Sequence, residues 1–208
     1  MKKSKHIEQT LVLLKPDAVQ RGLIGEIISR FEKKGLKIVA MKMVWPTDKQ
    51  ASDHYYWSDE EKEKTGMRTI SAYKERGMEL DKDPKEIAEA VQRKLRKFLT
   101  AGPIIAMVIE GAHAIDNVRA LVGKGNPLQA DVGTIRADYT IESYILADET
   151  DRAARNLVHA SDSVSEANRE IKVWFNENEI VSYNLAIEEI LYSKEWEETR
   201  EDLVRNDD

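Results

Sequence analysis

The chain has 208 residues, a mass of 23.8 kDa and 41% hydrophobic side chains, enough for one ample domain with a packed core. Its 32 Lys plus Arg against 38 Asp plus Glu give a net charge of −6, which argues against a whole-surface basic field for nucleic acid. The absence of cysteine excludes disulfides, thiolate metal sites and cysteine nucleophiles, and the longest apolar run, Pro103 to Ile109, is far too short to span a bilayer.

Thr10 to Leu14 reads as a buried strand, and Lys15 and Asp17 stop it from extending into a signal-like apolar stretch. A soluble, cytoplasmic protein with no membrane partner is therefore expected. Gly22 to Lys34 reads as a helix, with Ile24, Ile27, Ile28 and Phe31 on one face and Gly35 as its stop. Leu36 to Trp45 is a second strand ended by Pro46, and Thr47-x-x-Gln50 is a capping box opening a helix that carries His54, Tyr55 and Tyr56. Ser58 to Lys82, dense in charge and holding Gly66 and Gly77, reads as loop with short helical pieces.

Asp83 and Pro84 open a strong helix with the stripe Ile87, Val91, Leu95, Phe98 and Leu99, ended by Gly102. Ile104 to Ile109 is a third strand, His113 to Val122 a short helix, and Gly123 to Gly133 a polar loop. Asn156 to His159 forms a fourth short strand, and Ser163-x-x-Glu166 caps a helix aligning Val164, Ala167, Ile171 and Phe175. A charged C-terminal helix and tail follow from about Leu185. Strands separated by helices in one chain fit an α+β fold, with the ferredoxin-like split βαβ as the simplest candidate.

Four histidines are available. His6 reads as idle near the terminus, His113 as a helix-start residue, and His54 beside two tyrosines as packing. His159 differs, because it ends an apolar strand that turns directly into a capped helix. Such junctions present side chains and free backbone N–H groups. Lys15 follows the first strand at the same sheet mouth, and Arg119, Asn126 and Arg136 lie in or beside the polar loop. Arg93, Lys94, Arg96 and Lys97 read as an ordinary solvated helix face.

Five blocks then come together in order: Lys15-Pro-Asp-Ala-Val-Gln-Arg-Gly22, His54-Tyr55, Gly102-Pro103, Gly133-Thr-Ile-Arg136 and Asn156-Leu-Val-His-Ala-Ser-Asp-Ser163. Together they resemble the nucleoside diphosphate kinase family over roughly residues 8 to 192. The resemblance implies a ferredoxin-like antiparallel sheet with helices on one face plus helical insertions. It also implies γ-phosphate transfer from a nucleoside triphosphate to a nucleoside diphosphate, in two half-reactions through a phosphohistidine at His159.

By the same resemblance, Ser161 and Glu170 bond near or to the imidazole; a carboxylate on Nδ1–H would leave Nε2 or its counterpart unprotonated for attack. Lys15, Arg119 and Arg136 supply positive charge, Tyr55 closes on the phosphate region, and Asn126 and Asn156 contact the sugar side. Lys15 and Arg136, placed in polar loops, are expected to matter more to rate than to fold. Mg²⁺ is the implied cofactor, carried on the nucleotide phosphates without a dedicated metal site. The family is hexameric or tetrameric, so a homo-oligomer is expected.

The sequence departs from the family pattern in places. Ala18 stands where a glycine is usual, and Gly125 where the family has a threonine that bonds a phosphate. Residues 58–101 form an enlarged segment, expected to be helical, and 138–155 an enlarged loop, within one domain over 1–192 followed by a charged tail over 193–208. Both enlargements fall where the base would sit, so the base-clamping residues are not assigned, and Met67, Ile70, Tyr73 and Ala153 stand as candidates. The alternative reading is a catalytically weak nucleotide-binding homologue acting as an interaction module. An RNA-binding ferredoxin-like domain lacks its aromatic motif here, and a P-loop kinase lacks its glycine-rich lysine motif.

Overall fold

A computed structural model describes residues 6–194 and Trp196. The two most continuous apolar runs become the central strands, β1 (Ile7–Leu14) and β3 (Ile104–Ala112). They pair antiparallel, with β2 (Lys37–Val44) outside β3 and β4 (Val158–Ala160) outside β1, giving the order β2-β3-β1-β4. This is the ferredoxin-like arrangement expected from the sequence.

Helices cover both faces of this sheet, not one. Side chains alternate across a strand, so Val12 and Leu14 point to one face and Leu11 and Leu13 to the other. The first set packs with Ile105, Met107 and Ile109 against residues of α1 (Pro16–Gln20), α2 (Ile24–Lys33) and α6 (Ala114–Val122). The second packs with Ala106 and Val108 against α3 (Asp48–His54), the end of α5 (Pro84–Leu99) and α9 (Val164–Trp174). Uninterrupted apolar runs such as Thr10-Leu-Val-Leu-Leu14 carry this signal, since a strand with one wet face would alternate with polar residues.

Residues read as loop contain the largest difference. Asp59–Glu75 is a single 17-residue helix, α4, opened by a capping box in which Ser58 and Glu61 exchange bonds. Its charge density and its glycine hide it in the sequence, because it buries almost no apolar stripe; Gly66 is its buried residue. Two short helices, α7 (Ile135–Tyr139) and α8 (Tyr144–Glu149), follow, so the enlarged 138–155 loop is partly helical. Pro16 at the first helical position opens the missed α1, where Ala18 is fully buried and its φ is not positive. The glycine-to-alanine departure is therefore accommodated.

At the N-terminus His6 is not idle: its ring lies 5.0 Å from that of His113, whose amide donates to the His6 carbonyl at 2.9 Å. At the other end, α10 (Glu188–Tyr192) is held to the sheet by buried Lys37, which pairs with Glu188 at 2.6 Å and Glu110 at 3.0 Å. The charged tail of 193–208 lies outside the described residues except for 193, 194 and Trp196.

Candidate active site

β4 begins two residues later than the sequence predicts, and the two residues before it make a tight turn. Leu157 has φ 68 and the Val158 amide bonds the Asn156 carbonyl at 2.8 Å, a three-residue turn that L side chains adopt at a cost. Two bonds to the chain after β1 hold it. The Leu157 amide donates to Asp17 Oδ2 at 3.0 Å, and the Leu157 carbonyl accepts from the Lys15 amide at 2.8 Å. His159 follows in register with Leu13, its side chain 21% exposed.

Glu170 reaches back from α9, nearly two turns after the Ser163 cap. Its carboxylate oxygens lie 2.9 and 3.0 Å from His159 Nε2, and the Ser161 hydroxyl donates to it at 2.6 Å. Ser161 Oγ in turn accepts from the Leu11 amide at 3.3 Å. Burial alone would raise the Glu170 pKa, yet His159, His54 and Ser161 together hold it down to about 2. The carboxylate thus occupies Nε2 and leaves Nδ1 as the open nitrogen, the reverse of the expected assignment. Spacing along a helix places a carboxylate near a ring but does not choose between its two nitrogens.

His54, read as a packing residue, sits against this pair. Its ring centroid is 4.4 Å from that of His159 at 82°, and its Nδ1 accepts from Trp174 Nε1 at 3.4 Å. Its Nε2 is buried without a hydrogen bond in the described residues, and burial followed by the repulsion of His159 pushes its pKa well below the ordinary value. A buried, neutral ring thus packs beside the nucleophile candidate without adding charge.

A second cluster adjoins the first through residues 156–158. Buried Lys15 donates to Asn156 Oδ1 at 2.8 Å, and Asn156 Nδ2 donates to the Gly125 carbonyl at 2.7 Å. Arg136 grips three carbonyls, those of Gly123 at 2.7 Å, Val158 at 2.6 Å and Asn156 at 3.2 Å. The polar loop and the approach to β4 are thereby clamped together, so Arg136 is part of the fold as much as of the site. The expectation that it matters more to rate than to fold gives way to a residue that holds three backbone carbonyls. Burial and then neighbouring Arg136 lower the Lys15 pKa to about 8, while burial brings Arg136 down to about 10.

Arg119 pairs with Asp162, three residues past His159. Tyr55 lies behind the cluster with its hydroxyl buried and unbonded in the described residues, and burial raises its pKa. Asn126 accepts the Tyr144 amide at 3.3 Å through Oδ1. Tyr144 and Asp17 are the neighbours that sequence reasoning did not assign; Asp17 lay inside the Lys15 block, and Gly125 was the one trace of Tyr144. Of the base-site candidates, Tyr73 lines a cavity of about 350 Å³ between α4, α5 and α8, whose lining includes none of the residues above.

In the described residues, the side chains that could share a metal ion are His54, His159 and Glu170, an imidazole-rich set unlike the oxygen shell Mg²⁺ prefers. The neighbouring cations Lys15, Arg119 and Arg136 suit phosphate oxygens, and a Mg²⁺ would have to be held by those phosphates.

A carboxylate-held imidazole with fixed cations bonded to the chain on either side of it suits phosphoryl transfer, and the class so defined is a phosphotransferase on a ferredoxin-like scaffold. The sequence matches the model of the family described as nucleoside diphosphate kinase over residues 8–77 and 65–180. It is 49% identical over 180 residues to the nucleoside diphosphate kinase of Pyrobaculum aerophilum, covering 84% of this chain and 98% of that one. Identity is 40% over 188 residues to that of Archaeoglobus fulgidus, covering 90% and 99%. Among solved structures, an NDP kinase from Pyrobaculum aerophilum aligns with TM-score 0.81 and 48% identity over 85% of this chain and 100% of the other. A transition-state mimic of the Borrelia burgdorferi nucleoside-diphosphate kinase, with bound vanadate and ADP, aligns with TM-score 0.75 and 35% identity over 91% and 99%.

The chain belongs to the nucleoside diphosphate kinase family. It is an enzyme that transfers the γ-phosphate of a nucleoside triphosphate to a nucleoside diphosphate, and these matches do not favour the catalytically weak alternative. No helix of the described residues is long and apolar enough to cross a membrane.

Proposed function

We propose that His159 carries the phosphate, through Nδ1, in a two-step exchange. In the first step Nδ1 attacks the γ-phosphorus, a P–N bond forms, and the bond to the bridging oxygen breaks with its electrons leaving on the nucleoside diphosphate. In the second, a terminal phosphate oxygen of the acceptor attacks the same phosphorus and the P–N electrons return to the ring. The observation that carries this reading is the double contact of Glu170 on Nε2. It fixes the tautomer with the proton on Nε2 and stabilises the ring as Nδ1 gains phosphorus.

Lys15 and Arg119 supply charge to the phosphates, and Arg136 does so while holding the backbone that carries His159. Asn156 positions Lys15, Asn126 positions the start of α8 beside the sugar side, and Tyr55 backs the phosphate region. Mg²⁺ on the nucleotide phosphates supplies charge neutralisation when bound. The domain spans 1–192 and works in the cytoplasm as a homo-oligomer. Met41 and Met43 on the outer strand β2, 55% and 58% exposed, and Trp45 just past its end, 66% exposed, support self-association.

The test is incubation with γ-labelled ATP and Mg²⁺ without acceptor. An acid-labile, alkali-stable label is expected on His159, discharged by any added nucleoside diphosphate and absent in His159→Ala. Retained labelling and turnover in that variant would transfer the role to another group, with His54 the nearest.

A further inference from the structure

We propose that the Tyr144 hydroxyl, brought in by the enlarged 138–155 segment, donates a hydrogen bond to the transferring nucleotide's phosphates over Gly125. This rests on the reading of the site given above and adds a substrate contact to it.

A Cβ built on Gly125 would lie 2.6 Å from Tyr144 Oη, closer than real Cβ atoms come to any neighbour, so the hydroxyl occupies the space a side chain would fill. Resemblance to the family puts a hydroxyl-bearing threonine at this position. Here the backbone is bare and a hydroxyl from another segment fills its place.

Tyr144 is held there by a built base. Its amide donates to Asn126 Oδ1 at 3.3 Å, and Ser143 caps α8 by accepting the Leu146 amide at 3.1 Å. Buried Glu142 accepts the amides of Ser143 at 2.9 Å and Arg155 at 3.1 Å, closing the two ends of the segment on each other. The residue is 42% exposed overall, with its hydroxyl end turned in against Gly125.

The chemistry of the hydroxyl fits an anionic partner. It makes no hydrogen bond to the described residues, while Arg136 and Arg68 of α4 both act on it electrostatically. The Gly125 carbonyl is already taken by Asn156, the residue that holds Lys15. A phenol O–H without a protein acceptor, standing among cations at a phosphate mouth, has its acceptor supplied by the substrate.

The experiment compares the parent enzyme, Tyr144→Phe, Gly125→Thr and the double variant, with ADP and UDP as acceptors and ATP as donor. Tyr144→Phe should lose about ten- to hundred-fold in kcat/KM, equally for both acceptors, at an unchanged melting temperature. Gly125→Thr should also lose activity, because its Cβ meets the tyrosine hydroxyl. The double variant should recover much of the loss, since the removed hydroxyl both vacates the space and is replaced.

Parent-like kinetics in Tyr144→Phe would overturn the proposal, as would a loss confined to one base, which would make the contact a base contact. Failure to recover in a double variant that melts like the parent would do the same. Labelling of His159 by ATP in the parent is read separately, so a wrong nucleophile and a wrong role for Tyr144 give different results.

Discussion

Both carboxylate oxygens of Glu170 lie within 3.0 Å of His159 Nε2. One group therefore orients the ring, sets its tautomer and carries a pKa of about 2. A carboxylate whose folded pKa is depressed below its unfolded value of 4.5 contributes stability fully above that value. That contribution disappears as pH falls from there towards 2. Glu170→Gln, which keeps the shape but not the charge, should thus show a shallower loss of stability in urea titrations between pH 5 and pH 3. Its kcat should fall roughly ten- to hundred-fold, since one oxygen facing Nε2 can become an amide donor. Parallel stability profiles would remove the linkage.

The three carbonyls around Arg136 change what its removal should do. Arg136→Ala deletes a charge beside the candidate site and also removes one donor each from the carbonyls of Gly123, Asn156 and Val158, of which Asn156 keeps the Val158 amide. A loss of roughly 2–4 kcal/mol in stability is expected beside the loss of rate. Arg136→Lys should recover only part of either, because a point charge cannot reach three separate acceptors. A parent-like melting temperature in Arg136→Ala would show the clamp to be dispensable.

Most of this fold was legible because its signals are local. The runs around Leu11 and Ala106, the caps at Thr47, Asp83 and Ser163, and the order of the motif blocks all survive in one dimension. What escaped was geometry that needs two segments at once. The second covered face of the sheet, the ring nitrogen chosen by Glu170 and the carbonyl clamp of Arg136 depend on partners 11 or more residues away. Helix α4 escaped for another reason: its close approach to α5 is made at Gly66, a residue type that in sequence argues for a break.

Lys15 gives the activity a basic limb. Burial and Arg136 lower its pKa to about 8, against a smaller upward pull from Asp17. A depressed lysine loses its charge as pH rises, so kcat/KM should fall above about pH 8 as the free enzyme deprotonates. Lys15→Arg should remove that limb, because the guanidinium stays charged, and Lys15→Ala should lose roughly 10²–10³ at neutral pH. Stability runs the other way: the folded state sheds its buried charge first, so it gains stability between pH 8 and the unfolded value of 10.5. Persistence of the limb in Lys15→Arg would assign it to another group.

Gly66 decides whether the enlarged helical segment serves the site. A Cβ there would lie 1.9 Å from the Pro84 carbonyl oxygen and 2.4 Å from its carbon, both backbone atoms at the start of α5. Neither can swing aside, so Gly66→Ala must lift α4 from α5, at roughly 1–3 kcal/mol against at most about 1 regained in helix propensity. The melting temperature should fall by a few degrees. Helix α4 is also tied to α8 through Arg76 and Asp148 at 3.1 Å, and it carries Arg68 towards Tyr144. Lifting it should therefore raise KM while leaving His159 labelled by saturating ATP. Measured with ADP, GDP, CDP and UDP, the rise should be equal if the displaced Tyr144 serves phosphate, as proposed above, rather than a base edge. A rise for one base alone would make α4 a reader of the base, and a lower melting temperature with unchanged KM would make it a brace for α5 with no bearing on the nucleotide.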